Sequence, residues 1–332
     1  MARASIKQIA EILNISPSTV SFVLNGKERE VRISKELAEK VRDTAKALNY
    51  TPNMAARSLR TRKTKTIGLI VADISNPFFS KMARHIENIA TREKYQVIFA
   101  SSDESDEKFE KLCDVFIGKS VDGMIVVPPM GAAAALTKLA ENKMPLVVID
   151  RETEQVPLNT VMMDNFKAGY LLVERLINEG CRKIGLIGHN KNFTNVISRY
   201  EGYKEALSKY GIKTADDLVQ FVGLDDFEQN IDNALDILLE NSIDSIFFAT
   251  SKTGRQSLVS LKSRKVLEKL KYASIDLFEE CKFSYISLFA IEQPLDIMCE
   301  KALMLLFDQI TDSKYQMIET ITLHPPAIKK LD

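Results

Sequence analysis

From residue 66 to the C-terminus, short apolar runs alternate with amphipathic stretches, and no other feature restricts the fold as much. Runs at 67–72, 96–101, 122–127 and 145–149 have strand length and apolar residues on both faces, so they read as buried strands. Stretches at about 77–94, 106–118 and 131–142 separate them and have helical amphipathic spacing. The alternation resumes after 165, with strands expected near 183–188, 218–222, 244–249, 272–275 and 284–289. This rhythm implies parallel strands, because each helix returns the chain to the same end of the sheet. The fold class is therefore α/β. Two such sheets joined by several crossings give two lobes with a cleft.

In open α/β sheets a ligand binds beyond the carboxyl ends of the strands. That rule points to candidate ligand contacts among the residues near strand ends. Asn76, Phe78 and Phe79 follow the first strand in "ADISNPFF". Asp150 and Arg151 end "VIDR", Asp164 follows "TVMM", and Arg199 lies in "NVISRYEGY". Ser251 and Lys252 end "ATSK", Asp276 follows "ASI", Gln293 follows "LFAIE", and Phe227 in "LDDFEQN" adds an aromatic. Aromatic faces can stack on a ring of a bound ligand, while Asp and Arg take its polar groups in paired hydrogen bonds. A purely structural role is open to some of these: Asp150 and Asp164 as helix caps, Phe78 and Phe79 as lobe core. His189 follows a strand and is expected in a surface loop.

The first 50 residues follow a different pattern. Ile6, Ile9, Ala10 and Leu13 are helically spaced, so a first helix is expected from about Ser5 to Leu13. Ser16 can cap a second helix with Pro17 at its first position, and "NG" at Asn25-Gly26 ends it. Ser34 can cap a third, whose buried stripe is Leu37, Val41, Ala45 and Leu48. Two short helices joined by a tight turn fit a helix-turn-helix, whose second helix enters the DNA major groove. With Val20, Val23 and Leu24 facing inward, Pro17, Ser18, Thr19, Ser21, Phe22 and Asn25 face out, beside the cap Ser16. Phe22 then meets the base edges, where a phenyl ring packs on a thymine methyl. The alternative is that Phe22 folds back onto the third helix and completes the core.

Charge supports the DNA reading. Residues 1–65 carry fourteen Lys and Arg against six acids, a net charge of +8, so the other 267 residues sum to −8 in a chain of zero formal charge. Residues 50–65 hold Arg57, Arg60, Arg62, Lys63 and Lys65 with no acid. Pro52 blocks extension of the third helix, and Asn53 could cap a very short helix over Met54–Leu59. Such a helix is too short to persist alone and would order on DNA, with Asn53, Ala56, Arg57 and Arg60 at the duplex. Leu59 would be the wedge that unstacks a minor-groove base step; otherwise the segment is a basic tether and Leu59 is simply exposed.

Other classes find little support. There is no G-x-G-x-x-G, no P-loop and no nucleophile–base arrangement, so no catalytic residue, cofactor or enzyme activity is expected. His85, His189 and His324 lack metal spacing, and Cys113, Cys181, Cys281 and Cys299 show no C-x-x-C, so no metal is expected. Nothing at the start resembles a signal peptide, and no apolar run approaches the ~20 residues of a membrane span. A cytoplasmic protein with reduced, buried thiols and no membrane partner is the expectation.

"SIKQIAEILNISPSTVSFVLNG" and "NYTPNMAARSLRTRKTKTIGLIVADISNPFF" together resemble the LacI/GalR family of bacterial transcription regulators. The resemblance continues through "SVDGMIVVPP", "MPLVVIDR", "MMDNFKAGYLLVERLINEGCRKIGLIG" and "IEQPLD". It implies a homodimeric repressor on near-palindromic operator DNA. It also implies a periplasmic-binding-protein-like body with a sugar-like effector between its lobes. The implied domains are a helix-turn-helix head at 1–49, a hinge at 50–65 and the body at 66–332. Lobe 1 would take about 66–163 and 290–322, and lobe 2 about 164–289 and 323–332.

Departures from the family pattern are informative. Phe22 stands where the family usually has arginine, which predicts an A·T rather than a G·C pair at that operator position. "ATSK" replaces the common A-T-N-D, "ASIDL" replaces V-G-F-D-D, and Cys299 takes a usually small position. Lys252 beside Arg199 would favour an anionic effector such as a sugar phosphate or sugar acid; Lys252 in solvent would not. Two rival readings are a solute-binding protein without DNA function and a regulator that has lost small-molecule sensing.

Overall fold

Each head helix begins where a serine precedes an apolar stripe. The computed structural model describes residues 4–50, 63–153, 156–189, 192–278, 286–312 and 317–331. It divides into two units, Met1–Thr64 and Lys65–Asp332. In the first, α1 (Ile6–Leu13) is capped by Ser5, whose hydroxyl accepts the Gln8 N–H at 3.2 Å. α2 (Pro17–Leu24) is capped by Ser16, which accepts the Thr19 N–H at 3.0 Å. α3 (Lys35–Ala47) is capped by Ser34, which accepts the Leu37 N–H at 3.2 Å. The core is Ile9, Ala10, Val20, Val23, Ala38, Val41 and Ala45. The stripe of α3 therefore differs from expectation by one position: Ala38 is buried, while Leu37 and Leu48 lie half-buried at its margin. The segment with Asn53, Ala56, Arg57, Leu59 and Arg60, where the hinge helix is expected, lies outside the described residues.

The second unit contains two sheets. The first runs β2-β1-β3-β4-β5-β11, with all pairs parallel: β1 Thr66–Val71, β2 Gln96–Ser101, β3 Gly123–Val126, β4 Leu146–Ile149, β5 Asn159–Met163 and β11 Thr320–Leu323. The second runs β7-β6-β8-β9-β10-β12: β6 Ile184–His189, β7 Val219–Val222, β8 Ser245–Phe248, β9 Lys271–Ile275, β10 Leu288–Ile291 and β12 Lys329–Leu331. β12 pairs antiparallel to β10 and the others are parallel. Helices α4 (Pro77–Arg92), α5 (Asp106–Gly118), α6 (Ala133–Glu141) and α11 (Leu295–Thr311) accompany the first sheet. The second has α7 (Asn165–Asn178), α8 (Thr194–Lys209), α9 (Phe227–Glu240) and α10 (Ser251–Ser263). No helix among the described residues is long and apolar enough to cross a membrane.

Three crossings join the lobes, after β5, after β10 and after β11. α11 carries Met298, Cys299, Ala302, Leu303 and Leu306 into the lobe 1 core against Ile67, Leu69 and Ile86. α7 carries Leu172, Val173 and Leu176 into the lobe 2 core against Phe247, Ala273 and Phe289.

The strand expectations need four corrections. β2 is an edge strand rather than a buried one, and its Phe99 is exposed. The strand expected at 284–289 lies at 288–291, so the second crossing moves to Glu292–Pro294 and residues 290–291 belong to lobe 2. β11 extends lobe 1 to Leu323. β5, β11 and β12 carry too many polar residues to stand out as apolar runs. In β5, Asn159 is buried because its Oδ1 accepts the Glu319 N–H at 2.9 Å, tying the strand to the segment before β11.

Candidate functional site

The carboxyl ends of β1, β4, β6, β8, β9 and β10 converge on the cleft. After β1, Asp73 Oδ1 accepts the Ser75 N–H at 2.9 Å and the Ser75 hydroxyl at 2.6 Å. Asn76 caps α4 by accepting the Phe78 N–H at 3.0 Å. At the ends of β4 and β9, Asp150 and Asp276 have left-handed backbones, with φ of 74° and 62°. That conformation costs a non-glycine residue about 1–3 kcal/mol, and here it accompanies carboxylates that line the cleft.

Arg199 is the centre of the lobe 2 wall and is almost wholly buried. Its guanidinium donates to Asn165 Oδ1 at 2.8 Å, to the Ala249 carbonyl at 2.8 Å and to Gln293 Oε1 at 3.5 Å. Gln293 in turn donates through its backbone N–H and Nε2 to the two oxygens of Asp276, each at 2.8 Å. Across the cleft, Arg151 makes a two-pronged bond to Glu104 at 2.8 and 2.6 Å and donates to the Pro128 carbonyl at 2.9 Å. It lies over the Phe193 ring of lobe 2 at 4.1 Å. Its Nε has no hydrogen-bond partner and stands 3.8 Å from Asp150 Oδ2. Asn195 Nδ2 donates to that same oxygen at 3.3 Å.

Burial raises the pKa of both Asp150 and Asp276; Arg151 and then Arg199 act against that shift at Asp150, and the Gln293 hydrogen bonds and then Arg199 do so at Asp276. His189 behaves in the opposite way. It ends β6, with Nδ1 at 3.0 Å from Thr250 Oγ1 and its ring edge-on to Phe193. Burial, with Arg151, Lys252 and Arg199 nearby, lowers its pKa to about 3. His189 is thus a cleft residue, not the surface-loop histidine expected.

A neutral buried histidine has a readable pH signature. The unfolded chain takes up this proton below about pH 6.5 and the folded chain only near pH 3, so the contribution of His189 to stability falls as pH drops through that window. Asp150 and Asp276, whose folded pKa values are raised, act in the reverse sense as they protonate. His189→Gln should therefore flatten the acid-side loss of stability between about pH 6.5 and 4. Urea unfolding at a series of pH values checks this, and an unchanged slope would place the ring in water.

The cleft contains two adjoining chambers. The inner, of about 60 Å³, is lined by Asn76, Phe78, Phe79, Asp150, Arg199, Ser251, Lys252, Asp276 and Gln293, all selected from sequence. Asp73, Glu104, Arg151, His189, Asn195, Leu224 and Thr250 complete it. The outer, of about 660 Å³, adds Phe227, Phe278, Lys81, Arg255 and others. Phe79 also belongs to the lobe 1 core, so it serves both roles. Asp164 lines neither chamber; it caps α7 by accepting the Lys167 N–H at 2.8 Å. Lys252 faces the cleft, where Asp73 Oδ2 lies 3.5 Å from its Nζ. No cluster suited to a metal ion occurs among the described residues.

In the head, Pro17, Ser18, Phe22 and Asn25 are exposed on α2, with Thr19 and Ser21 half-exposed. Phe22 lies outside the head core with 38 % of its surface accessible, so it does not complete that core. Ser16 and Asn25 also serve the helix itself: Ser16 as its cap, and Asn25 by donating to the Ser21 carbonyl at 2.7 Å.

Residues 67–283 match the periplasmic binding protein domain, and residues 5–53 match the bacterial regulatory proteins of the lacI family. The chain belongs to the LacI family of bacterial transcriptional regulators. The regulator is 29% identical over 328 residues to the ribose operon repressor of Haemophilus influenzae, covering 98% of this chain and 97% of that one. It is 29% identical over 329 residues to the transcriptional repressor PurR of Pasteurella multocida, with the same coverage. Among solved structures, the lac repressor dimer bound to operator and the anti-inducer ONPF matches with a TM-score of 0.83 at 18% identity. That match covers 99% of the regulator and 98% of the other chain, and it shows the shared fold.

Proposed function

We propose that the protein is a homodimeric, cytoplasmic repressor that binds near-palindromic operator DNA through α2 and responds to a neutral, sugar-like effector held between its lobes. The pairing of charge in the cleft carries the effector half of this reading. Arg151 is engaged by Glu104, Lys252 by Asp73, and Arg199 by three oxygen acceptors beside Asp276. An anionic effector in the inner chamber would have to displace these partners. A polyol instead finds the cleft-lining carboxylates of Asp150 and Asp276 as acceptors for its hydroxyls. We assign the cleft residues to binding rather than to catalysis. The relative named for the ribose operon agrees with a sugar.

For the head, we assign Phe22 to base contact, with Pro17, Ser18, Thr19, Ser21 and Asn25 beside it and Ser16 at the helix start. Asn53, Ala56, Arg57, Leu59 and Arg60 are assigned to the hinge contacts. Selection of binding sites from random DNA by the full-length protein tests this. The expected product is a near-palindrome with A·T at the position facing Phe22 in each half-site. Phe22→Arg should move that preference to G·C, a change of about 1–3 kcal/mol per contact. Folding should change little, because the ring is outside the core. An invariant G·C pair selected by the unmodified protein would overturn the assignment.

A further inference from the structure

Lys252 occupies an unfavourable place within its own lobe. It stands in the first turn of α10, where unpaired N–H groups already concentrate positive potential. Arg199 adds to the positive field within that lobe, which is felt at His189. Its ion-pair partner lies on the other lobe, where Asp73 Oδ2 is 3.5 Å from Nζ. Asp73 is held ready for this contact, since its other oxygen is fixed by the Ser75 N–H and hydroxyl. The loop is anchored again by the Ile74 N–H, which donates to Ser101 Oγ at 3.2 Å. The Phe227 ring, 5.4 Å from the ammonium, supports it from the lobe 2 side.

We propose that Lys252 and Asp73 form a built-in clasp that holds the two lobes together when no effector is bound. The cation is repelled by the helix end that carries it and attracted by a carboxylate across the cleft, so both forces favour closure. Two other bonds described across the cleft have a different character. Asn195 donates to Asp150 at 3.3 Å, and the Glu152 N–H donates to Thr194 Oγ1 at 3.2 Å. A neutral amide or hydroxyl takes part in each, so salt weakens them less than it weakens an ion pair. Lys252 and Asp73 side chains keep 37 % and 26 % of their surface accessible, which leaves the clasp open to screening. The clasp concerns the effector-free protein and stands whatever the effector proves to be.

The test is the distance between the lobes in the full-length, effector-free chain. Spin labels carried on non-natural amino acids at the exposed positions Glu141 (lobe 1) and Glu205 (lobe 2) leave the native thiols untouched. Pulsed electron–electron resonance then gives the closed-to-open ratio. Lys252→Met and Asp73→Asn should each lower that ratio about two- to five-fold, and the double variant should lower it no further than either alone. Raising salt from about 0.1 M to about 1 M should do the same to the unmodified protein and nothing more to Lys252→Met. Distances in Lys252→Met equal to those of the unmodified protein would overturn the proposal. So would a salt-driven opening of Lys252→Met as large as that of the unmodified chain.

Discussion

Arg199→Met should destabilise the protein by about 3–5 kcal/mol and abolish effector binding. The side chain is 2% exposed, so the cavity it leaves is closed to bulk water. Three acceptors lose their donor at once: Asn165 Oδ1, the Ala249 carbonyl and Gln293 Oε1. Asp150 and Asp276 lose one of the groups that offset their burial, so their pKa values should rise further. Arg199→Lys should recover only part of the loss, because a point charge cannot serve acceptors arranged around a planar fork. Urea unfolding measures the stability. A loss below about 1 kcal/mol would mean that water replaces the guanidinium at little cost.

Gly202→Ala should be nearly as damaging, through backbone contact alone. A Cβ on Gly202 would lie 2.1 Å from the Phe166 carbonyl oxygen and 2.6 Å from the Tyr170 nitrogen, both backbone atoms of α7. One turn earlier on α8, the Arg199 carbonyl oxygen lies 2.3 Å from where a Cβ on Gly169 would be. The two helices therefore touch backbone to backbone, and no side chain can move aside. Separating them costs about 3 kcal/mol and draws Arg199 away from Asn165. The variant should lose both stability and effector affinity. Gly118→Ala is the control, because nothing lies within 4 Å of its added carbon. It should be neutral or slightly stabilising. Thermal unfolding of the two variants side by side separates steric contact from a general effect of alanine.

The fold was legible wherever burial is two-sided. A strand covered on both faces must be apolar throughout, and β1, β3, β4, β6 and β8 announce themselves in that way. Edge strands escape the rule: β11 reads "TITL" and β12 "KKL", with half or more of each exposed. The site was legible where a polar residue directly follows a strand, as with Asp150 and Asp276. Glu104 and Asn195 gave no local signal, because their roles come from Arg151 and Asp150, 47 and 45 residues away. Asp164 shows the converse failure: it follows a strand but turns back to cap the next helix. Lys252 could not be oriented from sequence, since Asp73 is 179 residues distant.

The central claim is that the chamber lined by Arg199 and Asp276 holds a neutral, sugar-like effector. Thermal unfolding against a panel of neutral sugars, sugar acids, sugar phosphates and nucleobases tests it most directly. A ligand at a hundred times its dissociation constant adds about 2.7 kcal/mol, which for a 332-residue protein is about 4 °C. The account predicts such a shift with a neutral sugar in the unmodified protein and none in Arg199→Met. A shift confined to anionic compounds or nucleobases would contradict it, and so would an equal shift in the variant.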